Sequence, residues 1–200
     1  LINARRLEDY RLDGEYLIAV DGTEQHRFKD RDRPHCPQCL KQTHSNGTTD
    51  YFHSVLEAKL VTREGLALSM ASEFIENGGR EYDKQDCELK AFYRLAPELK
   101  RQFPRLAICL LLDSLYANET LLDICVANSW SFYVGFKEGS IPNLYKQMLE
   151  TMAKHPGQVV NGEDDTEQYT CRWACNLTHK GHRLHAVMCE VKAKKDGKET

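Results

Sequence analysis

Two hundred residues are enough for one domain with a proper core and room for an insertion. With 27 Lys+Arg against 30 Asp+Glu the net charge is −3, which excludes a chain basic throughout and leaves room only for a local basic face. No apolar run approaches the roughly 18 residues of a membrane span and no signal peptide is visible, so the eight Cys read as reduced thiols or metal ligands in a cytoplasmic protein rather than as a disulfide framework.

The chain opens on Leu1 without an initiator Met and closes on the polar "KAKKDGKET", as expected of a piece of something longer. "YLIAVDGTEQ" (16–25) begins a strand over 16–28, in which an apolar run ends at Asp21. Residues 29–50, "KDRDRPHCPQCLKQTHSNGTTD", are polar and without period, which predicts a loop. Strand character returns in "YFHSVLEAKLVT" (51–62); "REG" supplies a turn, and "LALSMASEFI" (66–75) reads as a third strand. Together these make an antiparallel meander.

The period then changes from 2 to 3.6. In "KQDCELKAFYRLAPELKRQF" the residues Leu89, Phe92, Tyr93, Ala96 and Leu99 fall on one stripe, with Asp86 near the N-cap and Pro97 placed to kink or restart the helix. "RLAICLLLDS" (105–114) has the continuous apolar character of a strand covered on both faces. A short helix (118–129), a strand (130–137) and a helix (141–154, Pro142 near its start) follow. Two strand-like runs around Lys180-Gly181 predict a hairpin over 165–195. The order, three strands and then helix–strand, helix–strand, helix, predicts an α/β fold whose sheet has an antiparallel and a parallel side.

"LAICLLLDSLYANE" repeats the grammar of "YLIAVDGTEQ": apolar strand, Asp at its end, small polar residue next. Taken singly, Asp21 reads as a turn residue in an Asp-Gly pair and Asp113 as a helix N-cap. Taken together they point to a site, because α/β sheets place ligands at the carboxyl ends of strands. If the two strands are neighbours, the carboxylates meet at one sheet edge. Paired carboxylates that close call for a cation, and hard oxygen ligands suit Mg²⁺ or Mn²⁺. Two such ions activate the attacking oxygen and stabilise the leaving one in phosphoryl transfer.

The loop holds a second constellation. Cys36 and Cys39 have C-x₂-C spacing, with His35 adjacent and His44 and His53 downstream. Two thiolates and two imidazoles make a tetrahedral Zn²⁺ site, which would staple a loop too polar to build a core. His44 and His53 are the expected partners, since His35 directly precedes Cys36; a free cysteine pair is the simpler alternative. His179, His182 and His185 read as hairpin residues, and Cys87, Cys109 and Cys125 as core.

The motifs "VDGTEQH", "HCPQCL…HSNGTTDYFHSVLEAKLV", "EFIENGG", "KQDCELKAFYRL", "LLLDSLYANE" and "YVGFKEGS", in this order over residues 16–190, resemble the catalytic domain of bacterial insertion-sequence DDE transposases. The resemblance implies one ribonuclease H-like domain over 1–200, truncated at both ends, with residues 29–50 inserted. It also implies Mg²⁺- or Mn²⁺-dependent DNA cleavage and joining, with transposon ends and target DNA as partners and a homodimer in the full-length enzyme. On the resemblance Asp21 is the first acid and Asp113 the second. The third, a Glu in a "Y…R…E…K" segment, has no match before Thr200. Glu190 lies in a strand-like run, and the 165–195 hairpin corresponds to the insertion before that Glu. The fragment is therefore expected to be inactive alone. The alternatives are a non-catalytic, zinc-stapled ribonuclease H-like module that binds DNA or acts as a scaffold, and a different ribonuclease H-like nuclease.

Overall fold

Alternation in "YLIAV" sends Tyr16, Ile18 and Val20 into the core, and the pattern stops at exposed Asp21. A computed structural model describes residues 7–78 and 83–194, and the "KAKKDGKET" terminus lies outside them from residue 195 on. The described chain divides into two compact units, one ending at Gly135 and the other beginning at Phe136. None of its helices is long and apolar enough to cross a membrane.

The first unit is a six-stranded mixed sheet with two helices. Strands β1 (Tyr16–Phe28), β2 (Leu40–Thr43), β3 (Thr49–Val61) and β4 (Ala67–Ile75) come first in the chain, followed by α1 (Glu88–Gln102), β5 (Ile108–Leu112), α2 (Glu119–Asn128) and β6 (Ser131–Val134). The spatial order is β2-β3-β1-β5-β6, with β4 also paired to β3. β3 is antiparallel to β1, β2 and β4, whereas β1–β5 and β5–β6 are parallel. The antiparallel side thus has four strands rather than three. The extra one, β2, lies inside the segment predicted as loop. Its four residues need only the edge of β3 to pair with, so they carry no period of their own.

β5 is buried at Ile108, Cys109 and Leu110, as its unbroken apolar run requires. Helix α1 buries Ala91, Phe92, Leu95, Ala96 and Leu99. Pro97 lies inside that helix without ending it: a proline forfeits one backbone hydrogen bond, and three of those five buried residues lie within two positions of it. The other difference is at Cys87, which is exposed and serves as the N-cap, while Cys109 and Cys125 are core. Burial pushes the Cys109 thiol up to about 11 and the Cys125 thiol up to about 12, so both are inert at neutral pH.

The second unit comprises α3 (Pro142–Lys154), β7 (Val159–Glu163), β8 (Glu167–His179) and β9 (His182–Ala193), with the strands in the order β7-β8-β9. Leu144, Met148 and Met152 of α3 bury against Ala174 and Leu177 of β8. Lys180 (φ 46°) and Gly181 (φ 88°) form the two-residue turn between β8 and β9, both left-handed as a tight hairpin needs. Cys171 and Cys189 stand directly opposite in the β8–β9 register and are joined as a disulfide, a departure from the all-reduced reading. Their separation of 18 residues in sequence hides a pairing that hairpin register makes immediate.

Candidate functional site

Two constellations lie in the first unit. The acidic one is built by strand register. Tyr16 pairs with Ile108 and Ala19 with Leu111 across the parallel β1–β5 ladder. Asp21 lies two residues beyond that ladder's last pair, within β1, and Asp113 lies two residues beyond it, just past the end of β5. Asp21 is no turn residue: β1 continues through it to Phe28, pairing Asp21 with Glu57 and Gly22 with Leu56 of β3. Glu57 is itself held by Lys59 Nζ at 2.6 Å. Asp113 does cap the 3-10 turn Ser114–Tyr116, its Oδ1 accepting from the Leu115 amide at 2.8 Å. The capping role and the site position coexist, because a carboxylate has a second oxygen.

A third carboxylate joins them. Glu88, the first residue of α1, lies over β1 so closely that a Cβ on Gly22 would come within 2.4 Å of its Oε1. Tyr116, buried, donates its hydroxyl to Glu88 Oε2 at 3.5 Å. Burial raises the Glu88 carboxyl above its ordinary value, and the charges of Asp21 and then Asp113 raise it further. The Tyr116 phenol is raised as well, first by burial and then by the charges of Glu88, Asp113 and Asp21, so it stays protonated as a donor. Gly135, after β6, is also a close-approach glycine: a Cβ there would sit 3.0 Å from the Ser114 amide nitrogen.

Sequence reading missed Glu88, which appeared only as part of "KQDCELKAFYRL". The signal that could have found it is the Gly after Asp21, a residue type that weakens a strand interior unless another group approaches. Glu190 lies in β9 and pairs with Arg172 at 3.5 Å.

The second constellation is Cys36, Cys39 and His53. The two sulfurs are 3.3 Å apart, and His53 Nε2 lies 3.4 Å from Cys36 Sγ and 3.5 Å from Cys39 Sγ. Tetrahedral zinc, with Zn–S of about 2.3 Å and Zn–N of about 2.0–2.1 Å, would space these atoms about 3.5–3.8 Å apart. The donor set fits a metal such as zinc. Among the described residues this is the group of three whose ligand atoms all lie within 4.8 Å of one another; the three acids are spread more widely.

His44, an expected ligand, lies elsewhere. Its Nε2 is 3.1 Å from Asp50 Oδ2, which Arg27 also holds at 2.9 Å, while the Asp30 amide donates to Oδ1 at 3.1 Å. These donors, led by the Asp30 amide, hold the Asp50 carboxyl down at about 2. A strong anion within reach holds this imidazole, which sits in the turn of the β2–β3 hairpin. His35 stacks on Phe28 with centroids 4.4 Å apart. His179, His182 and His185 belong to the β8–β9 hairpin of the second unit.

Asn77 ties the cysteine loop to the start of α1. It is fully buried; its Nδ2 donates to the Cys39 carbonyl at 2.7 Å, its amide to the Gln38 carbonyl at 3.1 Å, and its Oδ1 accepts from the Asp86 amide at 3.2 Å. Asp86 in turn is paired with Arg94 at 2.7 Å.

No model of a protein family and no curated protein sequence matches the chain.

Proposed function

We propose that this is a metal-dependent phosphoryl-transfer domain acting on DNA, with a ribonuclease H-like sheet and the role of a DDE transposase catalytic domain. One observation carries the reading: Asp21 and Asp113 each lie two residues past the last pair of the parallel β1–β5 ladder, and the charges of both act on Glu88. Three carboxylates whose charges act on one another favour a cation among them, and Mg²⁺ or Mn²⁺ accepts oxygen ligands together with water. Asp21 and Asp113 would hold the ion or ions. Glu88, kept in place by Tyr116, would complete or assist that set. When bound, the metal supplies a nucleophile at neutral pH and charge stabilisation at the phosphate.

The test is titration of Mn²⁺ into the chain. Weak saturable binding is expected, lost in Asp21→Asn and in Asp113→Asn; binding unchanged in both variants overturns the reading. Nicking of supercoiled plasmid in Mn²⁺ that depends on Glu88 would make it the third acid. Bound Mn²⁺ without nicking denies Glu88 that role. The alternative, a zinc-stapled module without chemistry, is favoured by the Cys36–Cys39–His53 geometry alone and predicts zinc without Mn²⁺ binding.

A further inference from the structure

The cysteine–histidine group offers three ligand atoms, and a tetrahedral metal takes four. His44 is committed to Asp50, and among the described residues no fourth His, Cys, Asp or Glu joins the three within 4.8 Å. On its cysteine side the group opens into a cleft of about 480 Å³, whose walls include Cys36, Cys39, Arg33, His35, Lys41 and Tyr51. Among the described residues no carboxylate lines that cleft.

A site that only staples a loop closes its coordination with protein ligands, whereas a site that binds something keeps one position open. The charge balance here permits an anion at that position. Two thiolates and a neutral imidazole cancel the charge of a divalent metal, so the ion neither repels nor strongly draws a further anion. The walls then decide. Arg33 and Lys41 are exposed cations with no ion-pair partner among the described residues, in contrast to Arg27, Arg94 and Lys59, each of which has a carboxylate. Lys41 stands opposite Tyr51 in the β2–β3 register, so strand pairing holds both at the cleft wall. Arg33 comes from the loop just before Cys36.

We propose that the Cys36–Cys39–His53 metal keeps its fourth position for an anionic oxygen of a phosphate group, with Arg33 and Lys41 gripping the remaining oxygens. The phosphate displaces water from the metal, and no bond to phosphorus is broken. The same chemistry serves free inorganic phosphate or a phosphodiester of nucleic acid. The inference is independent of the acid site.

The experiment uses the whole chain loaded with Co²⁺, whose visible bands report coordination. One equivalent of tetrahedral cobalt is expected, with bands that shift saturably on adding inorganic phosphate. Arg33→Ala and Lys41→Ala should each weaken that response about three- to tenfold, as loss of a charge-assisted contact predicts, and leave the phosphate-free spectrum unchanged. An oligonucleotide without terminal phosphates that produces the same shift identifies the backbone phosphodiester as the source; a shift with inorganic phosphate only identifies the free anion. A cobalt spectrum that neither anion moves, a response untouched by both substitutions, or failure to bind cobalt overturns the proposal.

Discussion

Gly22 lies directly under the carboxylate of Glu88, so that a single methyl group on Gly22 would overlap the Glu88 carboxylate carbon at 2.5 Å. One residue before Gly22 is Asp21, and this contact is how the first turn of α1 brings its acid to the strand that carries Asp21. The Asp-Gly pair is thus a mid-strand cradle.

Gly22→Ala should therefore displace an acid rather than unfold the sheet. The overlapping atoms are the far end of a flexible side chain, which can swing away at modest cost, below the usual 1–3 kcal/mol of core overpacking. The expected outcome is a melting temperature close to wild type with Mn²⁺ affinity lowered about tenfold, or about 1.4 kcal/mol. A variant that binds Mn²⁺ as wild type does would show that Glu88 has no part in the site, and one that unfolds would show that the overlap is not relieved by a swing of the side chain.

Glu88 predicts a pH dependence. Its folded pKa is raised, so the folded chain holds more protons than the unfolded one, and stability falls as pH rises above the ordinary glutamate value. With metal chelated, Glu88→Gln should be more stable than wild type at pH 8. The difference should vanish below about pH 4, where the unfolded glutamate is protonated as well. Mn²⁺ should narrow or reverse the gap. Thermal melts in EDTA across that range check the sign, and a Glu88→Gln protein less stable at pH 8 would refute it.

The metal content separates the histidines. Protein purified without a His-tag should carry about one equivalent of zinc, and Cys36→Ser, Cys39→Ser or His53→Ala should leave less than about a tenth. His44→Ala should retain the metal, because its imidazole contacts Asp50 and not the sulfurs. Loss of zinc in His44→Ala would restore it as a ligand.

Asn77→Ala should cost about 2–3 kcal/mol in urea unfolding, since it strips partners from the Cys39 carbonyl and the Asp86 amide inside the fold. If the Asn77 network does join the two constellations, the variant should also weaken Mn²⁺ binding, although Asn77 contacts neither metal group. A loss of stability with unchanged Mn²⁺ affinity would confine Asn77 to packing.

Local pattern was enough for most of the elements, though not for β2 or β7, and it marked two of the three candidate acids. The alternation of Tyr16, Ile18 and Val20, the unbroken run of β5 and the stripe of α1 follow from burial periodicity, which is written residue by residue. The repeated strand-then-Asp grammar marked Asp21 and Asp113, and C-x₂-C spacing marked Cys36 and Cys39. What depended on distance through space was not legible. Glu88 enters the site through the packing of α1 over β1, across 66 residues from Gly22, and nothing local distinguishes it from a helix-start glutamate. His44 and His53 are equivalent by spacing; β-sheet register places His53 beside the sulfurs, while the buried Asp50 captures His44. The Cys171–Cys189 bond likewise waits on the hairpin register that sets the two residues opposite. Sequence carries the periodic and near-neighbour forces, whereas selection among chemically equal ligands is made by the backbone pairing and by competing charges, which exist only once the chain has folded.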